Sequence, residues 1–331
     1  MPPSGGKKGR MSVFTITFQA VFALLGIGFL GFLVVGRRRV PSETLAFLSS
    51  LAIDIALPCL VLVNLISDFS PQKYPSWWHV PLWWAGFTLL TLILSLCTSY
   101  LVKKEVRSEF TISLFYQNGI FFPILIIGGL FGQSNPYLIT LFLFTIFHPS
   151  MIFSTYTLFF NQTLQKEKLS WQRICNPVLI ATGVGIVVGL TAAGDYIPDF
   201  LITIITLVGA MATPLFMLIL GGNVYNDFIY YDAAENKSCF GDVFKFVLVK
   251  NIVFPLFFLA LLLWFRPDFH IAFIIILQAA VPPITSIPIL AERCQGNRKM
   301  ASLFIVASFS VSIFSIPAFI YLFNLFFPMP F

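Results

Sequence analysis

Long apolar runs separated by short polar segments dominate the chain. A run of about 20 apolar residues is long enough for a helix to cross the hydrocarbon core of a bilayer. Ten such runs predict ten transmembrane helices, near residues 13–35, 44–66, 77–102, 108–131, 136–160, 174–193, 198–221, 243–265, 269–291 and 300–325. The loops between them are short. The pattern therefore predicts an all-α polytopic membrane protein without an attached soluble domain.

Composition agrees with this interpretation and excludes several others. The chain is 58% hydrophobic and 10% charged, whereas a soluble domain is about 25% charged. Its net charge of +6 is accounted for by loop lysines and arginines that orient membrane proteins. We therefore expect the lipid bilayer as a partner and no nucleic acid. The five cysteines are scattered without a metal-binding spacing, so no metal site and no cofactor are expected.

The distribution of basic residues predicts the orientation. With ten helices, both termini lie on the same side of the membrane. The predicted loops on that side carry five Lys and Arg residues, and those on the other side carry fourteen. The positive-inside rule then places both termini outside the cytoplasm. We expect the protein to lie in a plasma membrane or a bacterial inner membrane.

Two runs contain prolines where a straight transmembrane helix would not. These prolines are Pro123 in the fourth run and Pro282, Pro283 and Pro288 in the ninth. Each proline removes a backbone donor and clashes with the preceding turn. The freed carbonyls must be covered by protein or by a water-filled cavity. We therefore predict that both helices are broken, with a binding site at the breaks.

The positions of the prolines also predict an internal repeat. Pro58 of the second run and Pro214 of the seventh lie at corresponding places in the two halves of the chain. The prolines of the fourth and ninth runs do so as well. With an odd number of helices in each half, the second half would cross the membrane in the opposite orientation to the first. The prediction is a first five-helix repeat over residues 1–160, a short cytoplasmic linker at 161–173 and a second repeat over 174–331. Chance coincidence is the alternative, since prolines are common in transmembrane helices.

Polar residues near the breaks are the candidates for substrate binding. Asn118 and Gln117 offer carboxamide donors without a buried charge, next to helix ends whose partial positive charge suits a carboxylate. The alternative is an interhelical hydrogen bond that only holds the bundle together. Gln278, Thr285 and Ser286 are the symmetry-related candidates. The two hydroxyls could instead bond back to their own helix.

Two ionisable residues inside the predicted spans are candidates for ion coupling. Asp54 lies one turn before Pro58, and a carboxylate within a membrane is a functional hypothesis by default. Lys250 is a cation further inside the eighth predicted run. The structural alternatives are a salt bridge between these two residues, or a lysine that reaches the cytoplasmic surface.

The ninth run and its surroundings carry a family resemblance. Residues 280–293 read AVPPITSIPILAER, and they are followed by Gly296-Asn297 and a Ser-rich final run that contains Ile316-Pro317. Asn176-Pro177 and the Leu-Gly-Gly at 220–222 add to the pattern. In these residues the chain resembles the auxin efflux carrier family, in its short-loop, bacterial-like form.

This resemblance implies ten helices in two inverted repeats, a scaffold domain and a transport domain. It implies that broken helices 4 and 9 cross at the substrate site. It also implies secondary transport of small organic anions, auxin-like or mono- and dicarboxylate, by an elevator-like motion. The fourth run departs from the family pattern: Asn118 lies closer to Pro123 than usual, and Phe121 and Phe122 stand where a glycine is expected.

Other functions remain open at this point. A sodium-coupled symporter of the bile acid type has the same helical plan. A channel or a receptor built on a transporter fold is another alternative, because fold does not determine function. No catalytic triad, P-loop or metal motif occurs, so no catalytic residue and no enzyme activity are expected. The oligomeric state is not determined by the sequence, and a homodimer is one option.

Overall fold

The computed structural model describes residues 6–38, 41–132, 135–160, 177–229 and 239–329. The predicted linker at 161–173 lies outside these ranges. The described residues form helices, together with one isolated antiparallel β-bridge between Gln117 and Pro283. The protein is thus an all-α polytopic membrane protein, as its apolar pattern predicts.

The described chain contains sixteen α-helices and two π-helical turns. The α-helices are α1 (Gly6–Arg38), α2 (Ser42–Leu51), α3 (Leu57–Asp68), α4 (Val80–Thr98), α5 (Arg107–Phe115), α6 (Phe121–Phe131), α7 (Pro136–Phe144), α8 (His148–Thr155), α9 (Pro177–Thr191), α10 (Asp199–Ala210), α11 (Ala212–Ile229), α12 (Phe240–Leu248), α13 (Phe254–Phe265), α14 (Phe269–Ala280), α15 (Ile287–Arg293) and α16 (Arg298–Phe326). The π-turns are Ala52–Ala56, between α2 and α3, and Val249–Val253, between α12 and α13.

Six helical segments within the described ranges are long and apolar enough to cross a membrane. They are Thr17–Arg37, Glu43–Ser67, Trp77–Leu101, Asp199–Asn226, Phe240–Phe265 and Arg298–Phe326. Shorter apolar helices occupy Phe121–Phe131, Pro136–Ile152, Pro177–Thr191 and Phe269–Ala280. These segments coincide with the predicted runs, while the number of membrane crossings stays a prediction.

The prolines have different effects at different places. The fourth run is divided between α5 and α6, and the ninth between α14 and α15, as expected. Pro58, by contrast, does not break its helix, because the π-turn before it rearranges the hydrogen bonds that the missing N–H would disrupt. The fifth run, predicted as one helix, is divided between α7 and α8 just before Pro149, which cannot donate to the preceding turn.

The chain forms two compact units that alternate along the sequence. Unit 1 contains Met1–Leu24, Phe87–Gln133 and Tyr230–Phe331, and unit 2 contains Leu25–Gly86 and Ser134–Ile229. Each unit therefore draws segments from both predicted repeats. The repeats are a different division of the chain, and their boundaries stay a prediction.

In unit 1, α16 packs against α5, α12, α14 and α15. Three buried rings join three of these helices: Phe110 of α5 lies 5.5 Å from Phe246 of α12 and 5.9 Å from Phe304 of α16, and Phe246 lies 4.5 Å from Phe304. Edge-to-face and offset contacts of this kind add to the dispersion energy of the core. The cluster fixes the start of α5 relative to the other helices of the unit.

In unit 2, glycines let helices approach closely. α3 packs against α9 and α10. A Cβ atom placed on Gly209 of α10 would lie 2.8 Å from the backbone nitrogen of Leu60 in α3. Such contacts between small residues and a neighbouring backbone drive helix association where lipid removes the hydrophobic force between helices.

The close approach at Gly209 generates a prediction. Gly209→Ala should lower the free energy of unfolding by about 1–3 kcal/mol, because the methyl group forces α3 and α10 apart. The matched control is Gly183→Ala, since a Cβ atom there meets nothing within 4 Å. Thermal unfolding of the purified variants measures the difference, and equal melting temperatures for the two variants would contradict this account.

Candidate functional site

The two broken helices of unit 1 meet at their breaks. We call residues 116–120 the first break and residues 281–286 the second break. The N–H of Asn118 donates to the carbonyl of Pro282 at 2.8 Å, and the N–H of Ile284 donates to the carbonyl of Tyr116 at 3.0 Å. Each break thus satisfies backbone groups of the other, as an environment without water requires.

The second break follows directly from its prolines. Val281 is extended (φ −72°, ψ 150°), because a residue before proline is pushed out of the helical region. Pro282 and Pro283 supply no N–H, so the carbonyls of Gln278 and Ala279 lose the donors that a continuing helix would give them. The chain resumes a helix at Ile287, with Pro288 in the first turn, where proline is tolerated.

Gln278 fixes the two breaks together. Its side chain is 1% exposed, and its Nε2 donates to the carbonyl of Gly119 at 2.6 Å. A Cβ atom at position 119 would collide with Oε1 of Gln278, so any side chain there would force the Gln278 carboxamide to shift. Gln278, predicted from the sequence as a substrate ligand, is therefore engaged in holding the first break in place.

Asn118 is a buried polar residue of the first break whose carboxamide has no partner among the described residues. It is 4% exposed, and the Oδ1 atom of its side chain is buried and accepts no hydrogen bond from the described residues. Its backbone N–H is already used between the breaks, so the whole carboxamide remains for a ligand. A buried acceptor in this state costs about 1–3 kcal/mol, which a ligand that donates a hydrogen bond to it would recover.

The remaining predicted ligands lie in the same two breaks. Gln117 is buried and forms the β-bridge with Pro283. Thr285 and Ser286 are half-buried at the end of the second break. The five predicted residues thus lie in or next to the two breaks, within a single compact unit, and their role in substrate binding stays a prediction.

Helix α6 begins immediately after the first break, and Pro123 lies in its first turn. The first N–H groups of a helix have no intrahelical partner and carry partial positive charge. A carboxylate beside Asn118 would therefore meet a carboxamide donor and a helix N-terminus, with no buried acidic group of the protein needed. The site is chemically suited to a small anion.

A comparison with protein families agrees with this geometry. A family model described as membrane transport protein matches residues 16–320. The chain belongs to the membrane transport protein family. This family includes the auxin efflux carriers, so the resemblance noted in the sequence is confirmed. A comparison with curated proteins gives no significant match.

Membership of the membrane transport protein family has two consequences. Its members are transporters and not enzymes, so the paired breaks belong to a membrane transporter. The matched region contains both breaks, α12 to α16 up to residue 320, and Asp54 and Lys250, the two candidates for ion coupling. The family match does not assign a role to any of these residues.

Asp54 lies in the π-turn of unit 2, and its side chain is exposed. The hypothesis that this carboxylate carries an ion rested on burial inside the protein, and the structure does not provide that burial. A role for Asp54 in ion coupling therefore stays a prediction without structural support.

Lys250 lies in the π-turn of unit 1 and is 1% exposed. Its Nζ donates to the carbonyl of Ala279 at 3.4 Å and lies 5.3 Å from the centre of the Phe254 ring. The interpretation that this side chain reaches the cytoplasmic surface is therefore wrong. The physical reason is that the end of α14 offers the ammonium group an acceptor inside the unit.

Sequence analysis missed two buried polar residues of unit 1. Asn251 donates to the carbonyl of Ser308 at 3.1 Å and to the hydroxyls of Ser312 and Ser315 at 3.1 and 3.2 Å. Glu109 is buried, and its Oε1 accepts from the N–H of Asn297 at 2.6 Å. The serines recur at helical spacing in the last apolar run, and this signal could have identified a polar face there.

The contact between Gln278 and Gly119 generates a second prediction. Gln278→Leu should lower the free energy of unfolding by about 1–3 kcal/mol, because it leaves a buried carbonyl without a donor. Thr285→Val is the matched control from the second break, since the half-buried Thr285 hydroxyl bonds to none of the described groups. Thermal unfolding of both purified variants is the measurement, and a Gln278→Leu variant as stable as the control would refute the structural role of Gln278.

Proposed function

We propose that the protein is a secondary-active carrier of a small organic anion, auxin-like or a mono- or dicarboxylate, which binds at the paired breaks of unit 1. The observation that supports this proposal most directly is the carboxamide of Asn118. It is buried between two broken helices, and its oxygen has no hydrogen-bond partner among the described residues. The Nδ2 atom of the same carboxamide can donate to a carboxylate, and an N–H or O–H group elsewhere in the ligand would satisfy the oxygen.

Neutral donors are the appropriate chemistry for a carrier of anions. A carboxylate that leaves water must regain its lost hydrogen bonds, or its transfer costs many kcal/mol. The amide of Asn118, the first N–H groups of α6 and the hydroxyls of Thr285 and Ser286 can donate those bonds. Since none of these groups is ionised, the empty site does not pay the cost of a buried charge.

The transport cycle that we propose is alternating access by an elevator-like motion, in a fold of ten helices arranged as two inverted repeats with helices 4 and 9 crossing at the site. Both breaks belong to unit 1, and the hydrogen bonds between them are internal to that unit. A motion of this unit as a body would carry the site without remaking those bonds. The driving force would be the substrate gradient and the membrane potential, or a coupled cation.

Counterflow in proteoliposomes tests this function. The purified protein is reconstituted, loaded with unlabelled indole-3-acetate, benzoate or malonate, and supplied with the labelled acid outside. We expect saturable uptake that is accelerated by the internal acid. Strictly linear flux without exchange would support the channel, and uptake that requires sodium would support the symporter of the bile acid type. Linear flux would refute the carrier as proposed, and a strict requirement for sodium would identify the coupled cation and favour the bile acid type.

Asn118→Ala should abolish exchange without reducing expression, because the site loses its central carboxamide. Asn118→Asp should abolish it as well, since a carboxylate of nearly the same volume repels the anion. Asn64→Ala is the matched control, because Asn64 of α3 only donates to the carbonyl of Leu60 in its own helix. Exchange by Asn118→Ala at the rate of this control would remove Asn118 from the site.

A further inference from the structure

The proposed binding site does not explain why the side chain of Lys250 is buried. Its ammonium group is buried inside unit 1, where a charge is costly. The described ion pairs of this unit, Lys245 with Asp242 and Arg298 with Glu292, do not include it. An ammonium group has three donors, and the part of the chain that the structure describes provides one acceptor, the carbonyl of Ala279.

The acceptor of Lys250 is a carbonyl that the second break has released. In a continuing helix, the carbonyl of Ala279 would accept from the N–H of residue 283, but that residue is Pro283. The carbonyl also lies in the last turn of α14, at the partially negative end of the helix. Lys250 thus donates to a carbonyl at the end of a broken helix.

This position is close to the proposed substrate site. Ala279 follows Gln278, and the side chain of Gln278 donates to Gly119, the residue next to Asn118. Two contacts, Lys250 to Ala279 and Gln278 to Gly119, therefore connect the ammonium group to the first break. All of these residues belong to unit 1.

The π-turn makes the inward position of Lys250 possible. Lys250 and Asn251 are consecutive, and each is 1% exposed. Lys250 contacts Ala279 of α14, while Asn251 contacts three serines of α16. An extra residue in the turn, of the kind often found at functional sites, directs both side chains to the interior of the unit.

A neutral side chain could satisfy one carbonyl at a lower cost than a charge, so the charge requires its own explanation. In carriers with broken helices, unwound carbonyls and the C-terminal ends of half-helices bind the coupling Na⁺ or H⁺. We infer that Lys250 occupies this position with a tethered ammonium group, which supplies the positive charge that such carriers otherwise take from solution as Na⁺. The protein therefore needs no sodium, and the tethered charge balances the carboxylate of the substrate.

The purpose of the tethered charge rests on the proposed carrier function, but its sodium prediction can be tested without substrate. Thermal unfolding of the purified full chain is compared in sodium chloride and in choline chloride at equal ionic strength. The wild-type protein should melt at the same temperature in both salts. Lys250→Ala should melt at a lower temperature in choline and regain stability in sodium, since a sodium ion with the carbonyl of Ala279 and water molecules as ligands can occupy the vacated position.

Lys245→Ala is the matched control on the same helical segment. Lys245 is partly exposed and contacts Asp242 and the carbonyl of Leu101. Its removal should create no response to sodium. The inference is wrong if sodium stabilises the wild-type protein, or if Lys250→Ala responds to sodium no more than Lys245→Ala does. Binding of radioactive sodium to the same three proteins gives a second readout.

Lys250→Gln separates the charge from the hydrogen bond. Glutamine keeps an N–H donor at this position but lacks the charge, so this variant should fold and should exchange labelled benzoate at least about tenfold more slowly. Lys250→Arg should retain most of the exchange. If Lys250→Gln exchanges benzoate at the wild-type rate, then Lys250 only caps the end of α14 and the inference is refuted. If the wild-type protein exchanges no carboxylate while the sodium result holds, the proposed carrier function fails and the tethered cation remains.

Discussion

Backbone hydrogen bonds in hydrocarbon are the constraint on which this structure depends. A helix that breaks inside a membrane protein releases N–H and carbonyl groups that water cannot satisfy. In unit 1 the two breaks satisfy one another, through Asn118 with Pro282 and Ile284 with Tyr116. Gln278 and Lys250 satisfy further carbonyls, at Gly119 and Ala279. Most of the polar groups named at the centre of the unit are hydrogen-bond partners of backbone groups that the breaks release.

The location of the breaks could be predicted because its cause is local. Pro282 and Pro283 remove the donors for two identified carbonyls, and polar residues at positions 117 and 118 interrupt an otherwise apolar run. At Pro58 a proline does not break the helix, because a π-turn rearranges the hydrogen bonds and the helix continues. The same reasoning missed the division before Pro149. A proline shows where donors are lost, and its surroundings determine whether the helix bends or breaks.

The environment of the charged residues could not be predicted, because it depends on neighbours distant in sequence. Lys250 is buried since the end of α14 offers it an acceptor 29 residues further along the chain. Asp54, one turn before a proline as predicted, has its side chain exposed. The sequence pattern did not separate Gln278, which holds the breaks together, from Asn118, whose carboxamide oxygen has no partner among the described residues. That distinction requires the positions of both breaks.

The reciprocal bonds between the breaks join main-chain atoms, with an antiparallel bridge between Gln117 and Pro283. Such bonds do not depend on the identity of the side chains at positions 117, 118, 285 and 286. Evolution can therefore exchange these side chains without dismantling the junction that presents them, provided that the prolines, Gly119 and Gln278 are kept. Relatives with the same junction could recognise chemically different solutes, and specificity would then diverge faster than the architecture that supports it.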